Sequence, residues 1–155
     1  MTRDELLTRM NAGRERLWSA IDGLDAEALA LPGVNGEWAA KDVLAHMAFW
    51  EEHASQRLRL IAEGRAEQIH YYGSGEIDDI NAQVFAERRP WTVAEAEQAL
   101  RLARRRLLED LAALTDEQLG SSPAGIPVLA WLAADTFEHD QEHLPQITAW
   151  RERLS

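Results

Sequence analysis

Residues 128–150 read Val128-Leu-Ala-Trp-Leu-Ala-Ala-Asp-Thr-Phe-Glu-His-Asp-Gln-Glu-His-Leu-Pro-Gln-Ile-Thr-Ala-Trp150, and the phase of this stretch decides the fold. Take about 100° per residue with His139 at zero: Val128, Leu129, Leu132, Thr136, His143, Ile147 and Trp150 then fall between roughly −20° and +80° of it. Glu138, Asp140, Gln141 and Glu142 fall outside that arc or at its edge. The segment therefore reads as an amphipathic helix that buries one stripe, and two histidines one turn apart lie on that stripe. A buried imidazole needs a partner for each ring nitrogen or it lowers stability. Two adjacent ones point to a divalent cation.

A third histidine lies in Lys41-Asp-Val-Leu-Ala-His-Met-Ala-Phe-Trp50. The core stripe there runs Val43, Met47, Trp50, Ala54, Leu58, Ile61. His46 stands within roughly 75° of its centre, stacked on Val43 and Trp50 at i−3 and i+4. An early helix and a late one share a ligand set only as neighbours, which a helical bundle provides. His53, at i+7 from His46, falls on nearly the same edge. His70 lies in a loop region and is assigned no role.

The rest of the chain has the same helical character. Thr2-Arg-Asp-Glu5 and Thr92-Val-Ala-Glu95 are capping boxes. They launch helices to about Gly23 and about Leu114. A second helix is predicted from about Ala39 to Glu63, stopping at Gly64. A long connection then leads to a shorter helix, about Ile77 to Arg88, before Pro90. Thr115–Gln118 reads as a single turn. The last helix starts near Pro127, and Pro145 inside it predicts a kink on the His-x3-His turn. No strand-like alternation of useful length appears, and neither does an internal repeat.

Composition bounds the function. The 155 residues, 46% hydrophobic and 28% charged, suit one globular domain spanning 1–155. With no cysteine, disulfides, thiolate–zinc sites and a cysteine nucleophile are excluded. The net charge of −11 argues against nucleic acid as a partner. The arginines at 101, 104, 105 and 106 read as a solvated face pairing with Glu97, Glu109 and Asp110. No run approaches the ~20 apolar residues of a membrane span, and the start has no signal-peptide core. A cytoplasmic location with no membrane partner is the expectation.

Glu37-Trp-Ala-Ala-Lys-Asp-Val-Leu-Ala-His46, followed by Trp50-Glu51, resembles the second-helix motif of the DinB/YfiT-like superfamily. Glu138-His-Asp-Gln-Glu-His-Leu-Pro-Gln-Ile147 resembles its fourth-helix motif, close to the ClbS/DfsB branch. The resemblance covers essentially the whole chain. It implies an all-α, DinB-like four-helix bundle of up-down-down-up topology, with a short extra helix before helix three. It also implies a divalent metal held by His46, His139 and His143. Zinc or nickel suits neutral imidazoles first, with iron as an alternative. The family's usual Ser or Thr at the start of helix two is Ala39 here, so the cap is lost or supplied by another group. Asp42 and Asp135, each four residues before a ligand, are the candidate orienting carboxylates. Trp50 and His53 are candidate pocket wall, and Glu142 is a poorer candidate for general base. The resemblance further implies a metal-dependent hydrolase or thiol-dependent transferase acting on a small electrophile, in detoxification or stress response. A low-molecular-weight thiol would be its co-substrate. The alternative is a self-protection protein that captures or opens a reactive small molecule without metal. Homodimerisation is a further implication, with Trp91, beside Pro90, expected at an interface or cavity mouth.

Overall fold

The computed structural model describes residues 1–155. Helix α1 (Arg3–Ile21) opens on the capping box read from the sequence. Thr2 Oγ1 accepts from the Glu5 amide at 3.1 Å, and Glu5 accepts from the Thr2 amide at 2.8 Å. A single turn, α2 (Ala26–Leu29), leads to a short antiparallel hairpin of β1 (Pro32–Asn35) and β2 (Trp38–Ala39). Then come α3 (Ala40–Ala62), α4 (Ser74–Arg88), α5 (Val93–Ala112), α6 (Asp116–Leu119), α7 (Val128–Asp135) and α8 (Phe137–Arg153).

Cross-helix pairs establish the topology. Glu51 and Arg59 of α3 meet Arg104 and Asp110 of α5, so residue numbers rise together and the helices run parallel. Arg14 and Ala20 of α1 likewise meet Asp140 and Arg151 of α8. By contrast Leu6 and Met10 share one end of the core with Leu58 and Ile61, while Leu17 and Ile21 share the other with Val43 and Leu44. Helix α1 is therefore antiparallel to α3. The four long helices form an up-down-down-up bundle, and the parallel α3–α5 pair requires the long crossover that carries α4.

Two apolar clusters fill the ends of the bundle, and a charged stratum separates them. Glu51 (1% exposed) and Asp140 (2%) bind Arg14, which is itself buried. Arg104 Nε donates to Glu51 Oε1 at 2.7 Å. Arg104 is thus drawn inward, not left on the solvated face expected for it. Asp140, off the apolar stripe, is buried because α8 is covered on that side by α1: a Cβ on Gly13 would lie 3.3 Å from Asp140 Oδ2.

Two expectations are corrected by the backbone. The hairpin around Gly36 (φ +60°) was not legible as strand alternation, because its strands span only four and two residues. The last helix breaks at Thr136 and not at Pro145. Thr136 has φ −120° and ψ −103°. Its hydroxyl donates to the Leu132 carbonyl at 2.6 Å, taking the acceptor an α-helical amide would use, and its amide shifts to Ala133 O at 3.2 Å. Pro145 is tolerated because it and Gln141, whose carbonyl it frees, both face solvent.

Candidate metal centre

The helix start at Ala39 shows how α3 is anchored. Alanine offers no acceptor, and the Asp42 carboxylate supplies the reciprocal half of the cap by accepting from the Ala39 amide at 2.8 Å. Asp42 also takes Lys41 Nζ at 3.2 Å. It is therefore spent on its own helix end and does not orient His46. One turn further on, α3 presents His46 toward α8.

His46, His139 and His143 are all buried, and their ring nitrogens converge. The Nε2 atoms of His46 and His139 are 2.9 Å apart, and so are those of His143 and His139. One ligand atom from each lies within 4.8 Å of the other two. His143 Nδ1 lies 3.0 Å from Gln146 Oε1, an acceptor only, so Nδ1 carries the proton and Nε2 faces the cluster as a lone pair. Gln146, three residues after its histidine, is the orienting group, an amide where the sequence pointed to carboxylates. The Trp38 ring stands edge-on to His46 at 5.1 Å, and His46 Nδ1 is buried without a partner.

Protons alone do not satisfy this cluster. Burial, and then the neighbouring His143, lower His46 to about 3. Burial, then His143, His46 and Arg14, lower His139 to about 2. His46 and His139 are therefore neutral near pH 7, and a single N–H on His139 would serve two facing ring nitrogens at once. A cation shared by the three nitrogens would satisfy all of them. The residues fit a metal ion.

The open side of the triad faces a cavity of about 210 Å³. His46, His139, Trp50, Ile77, Asn81, Ala134, Asp135 and Glu142 line it. Asn81 Oδ1 accepts from Trp50 Nε1 at 2.8 Å and fixes the indole as a wall. His53 stands behind that wall, its ring 5.5 Å from Trp50 and 5.4 Å from Tyr72. Asp135 makes no hydrogen bond to His139 and belongs to the cavity lining. Trp91 is not part of this lining; it lies under the Arg88 guanidinium at 4.6 Å and lines a separate surface pocket with Glu95, Gln98, Ala99 and Leu102. A larger cleft of about 410 Å³ lies at the far end, between the N-terminal residues and α6, with no histidine in its lining.

Residues 9–147 match a family described as the DinB superfamily. No curated protein matches the chain. Two solved structures are similar. One is an uncharacterised protein from Escherichia coli UTI89, with TM-score 0.84 and 12% identity over 98% of this chain and 94% of that one. The other is described as "Sibling Lethal Factor Precursor - DfsB", with TM-score 0.81 and 14% identity over 99% of this chain and 97% of that one. At such identities the likeness shows the fold alone.

Proposed function

The chain belongs to the DinB superfamily, and from that premise we propose that it is a divalent-metal-binding protein acting on a small electrophilic molecule, as a hydrolase or a thiol-dependent transferase. The observation that carries this reading is the convergence of three buried imidazoles, two of them on the wall of a cavity. His46, His139 and His143 would hold the ion, with zinc or nickel favoured by the all-nitrogen set. When bound, such an ion supplies Lewis acidity on its open side, acidifying a water or thiol and polarising an electrophile.

The chain's own residues do the rest. Gln146 holds His143 in the tautomer that leaves Nε2 free. Trp50, Ile77 and Ala134 form the apolar part of the wall and exclude water from one side of the substrate. A role in detoxification or stress response follows from the choice of a reactive electrophile as substrate.

The test is metal-dependent consumption of electrophiles, with and without an added thiol. Turnover by zinc- or nickel-loaded protein that is lost on stripping supports the proposal. Capture of an electrophile by metal-free protein, undiminished in His139→Ala, favours a binding and self-protection role instead.

A further inference from the structure

Asp135 is the last residue of α7, and the chain leaves helical geometry at the next residue. The residue lines the cavity together with His46 and His139. It has no hydrogen-bond partner: only burial and the more distant charges of Arg57 and Glu51 act on it. The residue is half-buried and its carboxyl oxygens keep contact with solvent, so the unpaired group is open to an incoming ligand. The other acidic groups nearby are differently placed. Asp42 is spent on the Ala39 amide and Lys41, Asp140 is bound to Arg14 on the side of α8 that faces α1, and Glu142 is exposed on α8.

We propose that Asp135 is the proton acceptor of this site, taking the proton of an acidic ligand, a thiol or water, that enters the open side of the histidine triad. The inference rests on the metal-centre reading above. The S–H or O–H bond of the ligand breaks, its electron pair stays on sulfur or oxygen, and the proton forms a new O–H bond on Asp135. Total charge is unchanged within the site. The surroundings suit the exchange. Burial raises the Asp135 carboxyl to about 7, with Arg57 of α3 pulling it down and Glu51 of α3 adding to the rise. Its position at the C-terminal end of α7 further disfavours the anion. His139 and Glu142 are the titratable groups of α8 in the same cavity lining. A group that titrates near the working pH both accepts and returns a proton efficiently.

The experiment uses cobalt(II)-loaded full-length protein with 2-mercaptoethanol as the probe, about one pH unit above the Asp135 value. Sulfur-to-cobalt absorption reports occupancy. Calorimetry in buffers of different ionisation enthalpy counts the protons released. The wild type should release close to zero protons per thiol bound, and Asp135→Asn about one, because the buffer then takes what Asp135 would have held. Cobalt affinity and thermal midpoint show that the variant is folded and loaded, and Asp135→Ser replaces it should the amide not fold. Equal proton release from wild type and variant overturns the proposal and leaves the metal centre standing. An increase in Glu142→Gln instead assigns the proton to Glu142 and likewise overturns it. Failure of the wild type to bind cobalt overturns both.

Discussion

Gln146 Oε1 and the His143 Nδ1 proton, 3.0 Å apart, show how one side chain sets the chemistry of another. Replacing Gln146 with Leu keeps the bulk and removes the acceptor. Partners of this kind are worth about 10–100-fold in metal affinity, so the dissociation constant for zinc should rise by at least about tenfold, as read by competition with a chelator. The histidines also set a pH dependence of stability in the metal-free protein. His46, His53 and His139 are lowered, first of all by burial, to about 3, 4 and 2. The unfolded chain takes up protons near 6.5 that the fold refuses, so stability falls as pH drops from about 6.5 toward those values. Asp135, raised to about 7, works in the opposite direction: the fold retains its proton down to the unfolded value of ~3.9. Thermal midpoints between about pH 4 and 7 should fall with acid in the wild type, less in His139→Gln and more steeply in Asp135→Asn. A midpoint that rises with acid in the wild type would contradict this assignment.

Between the two apolar halves of the bundle, α1, α3, α5 and α8 meet through Arg14, Glu51, Arg104 and Asp140. Glu51→Gln leaves the Arg14 and Arg104 guanidinium groups with Asp140 as their one remaining carboxylate in the cluster. Breaking a buried pair in this way costs about 3–5 kcal/mol, measurable by guanidinium denaturation. Asp110→Asn, which breaks the exposed pair with Arg59, should change stability by less than about 1 kcal/mol. The four long helices were legible in the sequence, because their capping boxes and apolar stripes are local signals. Phase places His139 and His143 on the buried face and His46 at the border of its stripe, and the family resemblance joins the three into one set; all three are buried. Three features were hidden by the need for tertiary context. Arg104 reads as a surface residue until Glu51 is known to stand opposite it. Asp42 reads as a partner for His46 until Ala39 is seen to lack a cap. Thr136 reads as helix interior, because nothing nearby shows that its hydroxyl will displace its own amide from the Leu132 carbonyl.

The whole molecule places its three imidazoles on two antiparallel helices that are distant in sequence, so an ion held there ties α3 to α8. Binding to the native state alone stabilises by RT ln(1 + [L]/Kd), about 2.7 kcal/mol at a hundredfold excess over Kd. For a domain of this size that is a rise in thermal midpoint of roughly 5–10 °C. The rise should be absent in His46→Ala. A rise without any turnover would identify the ion as a structural staple of the bundle and remove the enzymatic reading. The most direct measurement strips the protein of metal, dialyses it against zinc or nickel, and counts bound ions by elemental analysis. About one ion per chain in the wild type, with none retained by His139→Ala, is the expected result for a three-histidine site. No uptake by the wild type, or uptake unchanged by loss of His139, would contradict it.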